Sequence, residues 1–306
     1  MNKFTFVILH YLAEQDTIEC IESILNNIDY PNYDIVVVDN ASYNESMKNI
    51  IAKFNEIENV YFIESDENLG FAKGNNLGFR FAKNELNSDF ICLINNDTIF
   101  EQKDFITKVV KIYEEEKFAV LGPDIIARDG RHQNPARETL VSYEELERDV
   151  KMYEEMLKNS SSTKWKYTYI IKTALKTNLK KFKLARMIKR AVKKNPNKPI
   201  NHLVKQENIQ LHGSCLIFSS DYISKYDGLY SETFMFMEED ILLLMSQRDH
   251  FKMLYSPEIK MYHKEDASTD YILKSSFEKR KFILENYIVS GKILLRLMKE
   301  KETIKA

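Results

Sequence analysis

The chain has 306 residues, enough for one large or two modest domains. Apolar residues make up 44% and charged residues 29%, and a formal net charge of -2 gives no global attraction to nucleic acid. The opening Met1-Asn2-Lys3-Phe4 does not start a signal peptide, and no apolar run approaches the ~20 residues of a membrane span, so the expectation is a cytoplasmic chain. Cys20, Cys92 and Cys215 lack metal-like spacing; Cys92 and Cys215 sit in apolar runs and read as buried thiols in a reducing compartment.

The first third alternates two patterns. Short apolar runs at 4–9, 33–38, 60–63 and 90–94 read as strands. Between them, 14–27, 44–54 and 70–83 carry apolar residues at helical spacing. Strands this continuously apolar need cover on both faces, which predicts a mostly parallel α/β sheet flanked by helices, with right-handed crossovers. In such a sheet ligands bind at the carboxyl ends of the strands.

Polar clusters close three of those strands. Asp39, Asn40 and Ser42 end the second, where a carboxylate accepts from a nucleobase or ribose, or else caps a helix. The run 68–78 follows the third. Its glycines at 70, 74 and 78 would share one helix face and permit close approach, and Lys73 adds a cation for a phosphate or base. It is neither a phosphate loop nor a Gly-x-Gly-x-x-Gly turn, which argues against a kinase or an ordinary dehydrogenase. Asn95-Asn96-Asp97 closes the fourth strand. There Asp97 supplies a hard oxygen suited to Mg²⁺ or Mn²⁺ on a diphosphate, or the segment is simply a turn.

These motifs, Val37-Val38-Asp39-Asn40-Ala41-Ser42, then Asn68 through Asn76, then Asn95-Asn96-Asp97, resemble those of family 2 glycosyltransferases with the GT-A fold, in particular the bacterial rhamnosyltransferase-like branch that builds cell-surface polysaccharides. The resemblance covers roughly 4–127. It implies a donor-binding set of His10, Asp39, Asn40, Asn68, Gly70, Lys73, Asn75, Asn76, Asn95, Asn96 and Asp97. Asn95 stands where the family's Asp-x-Asp segment has its first acid, so Asp97 is left as the direct metal ligand.

The middle is less familiar. A helix is expected over 104–115, a strand over 118–121 ending at Gly122-Pro123, and a loop over 128–137. Charge then splits: seven acids lie between Glu138 and Glu155, and thirteen Lys or Arg with no acid lie between Lys164 and Lys198. The basic, aromatic-rich segment suits an anionic membrane surface. It suits equally a solvated face packed on the acidic segment, and nucleic acid less well.

The last third carries the other half of a site. A strand is expected over 209–218. The run 234–244 opens a helix with Glu238, Glu239 and Asp240, a good acidic first turn. The run 253–263 reads as extended and ends at His263, a loop is expected over 264–269, and an amphipathic helix over 277–298. The resemblance implies that Gly213, Ser214 and Glu238 line the acceptor side. It places the general base at Glu239, with Asp240 as runner-up, and makes His263 a second metal ligand. Lys279, Arg280 and Lys281 are cations that could meet the donor diphosphate.

The expected organisation is a nucleotide-sugar half at 1–127, a loop and charged helical insertion at 128–205, an acceptor half at 206–270 and a C-terminal helix at 271–306. The expected activity is inverting transfer of a hexosyl or rhamnosyl group from a nucleoside diphosphate sugar to a glycan or lipid-linked acceptor, with Mg²⁺ or Mn²⁺. Peripheral membrane contact would run through 164–198, at the inner face of the cell membrane. The competing readings are a non-catalytic nucleotide-sugar-binding subunit and a nucleotidyltransferase, whose Gly-rich basic N-terminal loop is missing.

Overall fold

A computed structural model describes residues 1–160, 200–265 and 276–305. Four strands, β1 (Phe4–His10), β2 (Tyr33–Asp39), β3 (Val60–Glu64) and β4 (Phe90–Asn95), alternate with helices α1 (Glu14–Asn27), α2 (Ser46–Phe54) and α3 (Gly70–Asn84). They pair in parallel in the order β3-β2-β1-β4. Then come β5 (Thr98–Ile99), α4 (Phe105–Glu116), β6 (Val120–Ala127), α5 (Tyr143–Ser160), β7 (Gln206–Glu207), β8 (Cys215–Ser219), α6 (Ser220–Ile223), α7 (Glu238–Arg248), β9 (Met253–His263) and α8 (Ser276–Lys305). The same sheet continues β4-β8-β6-β9-β5, with β7 on β9. β8 runs antiparallel to both β4 and β6, so the sheet is mixed, and the regions expected as two halves share it.

Alternation along the strands fills two apolar layers. Phe6, Ile8, Ile35, Val37 and Ile94 pack on one face with Ile21, Ile50 and Phe105 of α1, α2 and α4. Val7, Val36, Val38 and Leu93 pack on the other with Phe79, Tyr222 and Leu243 of α3, α6 and α7. Both faces are therefore covered, as strands without a polar side require. Two of the spaced glycines serve this packing: a Cβ at Gly78 would lie 2.3 Å from Val7, and one at Gly74 2.7 Å from Leu9. A third cluster joins Leu146 and Val150 of α5, Ile241 and Leu244 of α7, and Ile288 and Leu294 of α8. The acidic segment is thus an amphipathic helix lying on α8, with Glu154 paired to Lys292 at 2.5 Å. The basic run at 164–198 lies outside the described residues.

Two boundaries differ from expectation. β6 does not stop at Gly122-Pro123; its register on β9 shifts between Pro123 and Asp124 and pairing resumes to Ala127. A proline without an N–H is accommodated at such an irregularity. The strand expected over 209–218 is ladder-paired only as Cys215–Ser219. In its first half only Gln210 pairs, in an isolated antiparallel bridge with Arg137, and the next amides go to side chains: His212 N–H donates to Asn134 Oδ1 at 2.7 Å and Gly213 N–H to Glu239 Oε1 at 3.1 Å.

Candidate active site

Parallel pairing brings the carboxyl ends of β1, β2 and β4 to one edge, with His10 beside Asp39 and Leu9 beside Asn95. A cleft of about 500 Å³ opens there. On the side of β1, β2 and β4 it is lined by Leu9, Tyr11, Asn40, Asn68, Gly70, Phe71, Asn95 and Asn96. His212, Gly213, Ser214, Glu238, Glu239 and the apolar group Phe234, Met235, Phe236 and Phe282 complete it. The two sides are tied across the cleft. Phe71 N–H donates to Phe234 O at 2.8 Å, and Asn95 N–H to Ser214 O at 3.1 Å. Gly70 has φ +77°, and a Cβ there would meet Phe234 O at 2.2 Å, so only glycine fits.

The expected donor residues divide into those at the wall and those beneath it. Asn40 is at the wall but shapes it. Its Nδ2 donates to Asn68 Oδ1 and Gly70 O, and its Oδ1 accepts from Leu69 N–H, which holds the 68–70 turn. Asp39 is buried, and both its carboxylate oxygens accept from Ser42 N–H, at 3.1 and 3.2 Å. It therefore closes a local turn and does not cap α2. Asn76 clamps Leu229 through both its N–H and its C=O, at 2.7 Å each. Asn75 is buried and donates to Phe71 O, while Lys73 is exposed and is not part of the cleft wall.

His10 also lies beneath the wall. Its ring nitrogens meet Thr17 Oγ1 at 2.7 Å and Ser46 Oγ at 2.8 Å, and Thr17 Oγ1 accepts from Asn96 Nδ2 at 2.9 Å. Burial pushes the imidazole down to about 4, keeping it neutral. With both nitrogens engaged, His10 reaches the cleft through Thr17 and Asn96.

Asp97 and His263 converge, although 166 positions separate them. The short β5 pairs with the end of β9, setting Thr98 opposite His263. Asp97 Oδ1 then lies 3.1 Å from His263 Nε2, and Lys264 N–H donates to Asp97 O at 3.0 Å. His263 Nδ1 is 2.8 Å from Gln133 Oε1, whose Nε2 donates to Glu265 at 2.6 Å. An amide oxygen behind a histidine fixes its tautomer and orients it as a metal ligand. Among the described residues no cluster of three His, Cys, Asp or Glu is placed to hold a metal. Asp97 and His263 bring together one carboxylate and one imidazole, donor types that a divalent cation accepts.

The acidic turn separates its three carboxyls. Phe236 and Met237 enter α7 at φ +73° and +68°, an uncommon conformation for two consecutive side-chain-bearing residues. Glu239 then lines the cleft, its Oε1 held by Gly213 N–H. A Cβ at residue 213 would lie 2.7 Å from that oxygen, so the glycine makes the contact possible. Glu238 lines the cleft too but is buried, and its Oε1 lacks a protein partner. Burial, with the charge of Glu239 beside it, raises its carboxyl to about 7. Asp240 lies off the cleft wall, 3.4 Å from Arg137, and burial raises its carboxyl despite that guanidinium. Lys281 lies 3.6 Å from Glu285 and Arg280 donates to Met156; neither they nor Lys279 line the cleft.

His212, Tyr11 and the apolar group Phe234, Met235, Phe236 and Phe282 line the cleft and escaped the sequence reading. His212 lines the cleft directly before the Gly213-Ser214 pair, so its neighbours were the available signal. Arg137 is identified only by its partner Asp240.

The mixed sheet flanked by helices, with its cleft at the strand carboxyl edge, is a GT-A-type fold. Solved structures agree. S. aureus TarS matches with a TM-score of 0.52 at 14% identity, over 86% of this chain and 36% of that one. Its 1-349 portion in complex with UDP-GlcNAc matches with a TM-score of 0.53 at 14% identity, over 93% of this chain and 66% of that one. The chain belongs to glycosyl transferase family 2, whose model matches residues 5–172, more than half of its length. A curated relative, the low-salt glycan biosynthesis hexosyltransferase Agl10 of Haloferax volcanii, is 26% identical over 130 residues. That match spans 42% of this chain and 39% of the relative.

Proposed function

We propose that the chain moves a hexosyl group from a nucleoside diphosphate sugar to a hydroxyl of a glycan or lipid-linked acceptor in cell-surface polysaccharide synthesis, by a single inverting displacement. The observation that carries this is one cleft lined both by Asn95 and Asn96, next to Asp97, and by Glu239. Donor and base are thereby provided for in the same space. The UDP-GlcNAc and UDP complexes of TarS support a nucleotide-sugar donor. The hexosyltransferase name of the relative supports a six-carbon sugar as the transferred group, a class that includes the deoxyhexose rhamnose.

In this reading Glu239 takes the acceptor proton. Gly213 N–H holds Oε1, and Oε2 makes no protein hydrogen bond among the described residues. A carboxylate so fixed is oriented toward its proton before substrate arrives. Glu238, raised to about 7, serves the acceptor side as hydrogen-bond donor or acceptor. Asp97 and His263 would hold Mg²⁺ or Mn²⁺, which when bound supplies charge neutralisation at the departing diphosphate. His10 and Thr17 keep Asn96 in place. Membrane contact through 164–198 remains part of the proposal; among the described residues no helix is long and apolar enough to cross a membrane.

The test is nucleoside diphosphate release from UDP-, GDP- and dTDP-hexoses, with and without glycan acceptors, by wild type and Glu239→Gln. Acceptor-dependent release by wild type alone is the expected result. No release from any donor by wild type would overturn the reading.

A further inference from the structure

The segment 212–214 spans the gap between the two chemical ends of the cleft. Ser214 O accepts from Asn95 N–H at 3.1 Å on the donor side. Gly213 N–H reaches Glu239 on the side of the base. A sugar being transferred must lie between its diphosphate and the attacking hydroxyl, hence along this segment. The one ring in the segment is His212.

The protonation of that ring follows from its neighbours. Ser214 N–H lies 3.1 Å from His212 Nδ1, and an amide N–H can only donate. Nδ1 is therefore the bare nitrogen, and the Ser214 hydroxyl 3.0 Å away also faces it. In the neutral ring the proton then sits on Nε2. Among the described residues no protein group accepts from Nε2. The residue is only partly buried and Nε2 is not sealed off, so that nitrogen keeps access to solvent in a residue that lines the cleft. Ser214 anchors the ring at Nδ1, and the backbone beneath it is fixed as well through the main-chain amide. His212 N–H donates to the buried Asn134, whose Nδ2 donates to Pro123 O at 2.9 Å.

We propose that His212 determines donor specificity by donating a hydrogen bond from Nε2–H to an oxygen of the transferred sugar, a hydroxyl or an acyl carbonyl. This rests on the glycosyltransferase reading above. A neutral, single, fixed donor suits a sugar oxygen better than a phosphate, which calls for charge-assisted contacts. Because the ring is already seated, the contact forms without an ordering cost.

The experiment is calorimetry on the full chain with Mn²⁺, comparing free UDP, GDP and dTDP with their hexoses. For His212→Phe, affinity for the free diphosphate should stay within about twofold while that for the sugar nucleotide falls about five- to tenfold, the worth of one neutral hydrogen bond. His212→Gln, which retains an N–H donor, should recover most of the loss. Equal weakening of diphosphate and sugar nucleotide, or no weakening of either, overturns the assignment. Long-range ¹H–¹⁵N spectra of the wild-type imidazoles need no variant. They should show His212 protonated at Nε2, with that signal moving on addition of the sugar nucleotide and not of the free diphosphate; a proton on Nδ1 overturns the assignment. If wild type binds no sugar nucleotide in the panel, the glycosyltransferase reading itself fails, and this contact with it.

Discussion

Glu239→Gln separates the base from its look-alikes. The amide keeps the carbonyl that accepts from Gly213 N–H at 3.1 Å, so side-chain position and cleft shape persist and donor affinity should hold. What it loses is basicity. A positioned general base contributes about 10²–10⁴ in rate, which at about 1.36 kcal/mol per decade is roughly 3–5 kcal/mol of barrier. Asp240→Asn keeps the side chain's shape and its hydrogen-bonding reach toward Gln210 and removes the charge from an ion pair at 3.4 Å to a half-exposed Arg137. Such a pair is worth at most about 1 kcal/mol, or roughly fivefold if all of it reached the rate. The two variants should therefore differ by at least about tenfold in transfer rate. The assay is acceptor-dependent release of nucleoside diphosphate at saturating donor, with donor affinity measured separately by calorimetry. Glu239→Gln retaining transfer within tenfold of wild type, or Asp240→Asn as the inactive variant, would refute the argument from the cleft wall.

Glu238→Gln should change stability in a pH-dependent way. The folded-state carboxyl sits at about 7, above its ordinary 4.5. The folded state therefore holds that proton more tightly, an advantage fully present below about pH 4.5 and lost as pH rises through 7. The shift corresponds to about 3 kcal/mol, so the variant should gain stability over wild type at pH 8 relative to pH 5. Parallel urea-unfolding curves at the two pH values would refute this. Asp97→Ala should abolish the part of nucleoside diphosphate binding that depends on Mg²⁺ or Mn²⁺; calorimetry with and without chelator checks it, and an unchanged metal effect sinks the Asp97–His263 assignment. Binding to anionic liposomes should weaken on charge reversal at Lys180, Lys181 and Lys183 and at high salt; equal co-sedimentation with neutral and anionic vesicles would argue against membrane contact.

How far the fold could be read depended on whether a residue's environment repeats along the chain. β1 to β4 and their helices repeat it: apolar runs such as Val36, Val37 and Val38 are buried on both faces, and their period shows at once. β5 and β7 have two residues each and leave no period to find. Yet β5 is what sets Thr98 opposite His263 and brings Asp97 to the imidazole. The region around 209–214 reads as a strand, but beyond the Gln210–Arg137 bridge the amides of His212 and Gly213 serve two side chains from distant segments, Asn134 and Glu239.

The candidate site followed the same division. Asn95, Asn96, Gly213, Ser214, Glu238 and Glu239 were readable as polar or small residues at element ends, and all of them reach one cleft. The type of a residue does not reveal which partner has claimed it. Asn76 and His10 carry the same chemistry as residues at the wall, but Leu229 claims the first, while Thr17 and Ser46 claim the second. His212 is the converse case. Its Nδ1 is taken by Ser214 two residues on, a contact local enough to occur before the chain has folded around it. Only the tertiary structure leaves its second nitrogen unclaimed, beside a glycine whose missing side chain lets Glu239 approach. In this cleft the polar groups available to a substrate are those that neither the sheet nor its turns have used, and that remainder is a property of the folded chain.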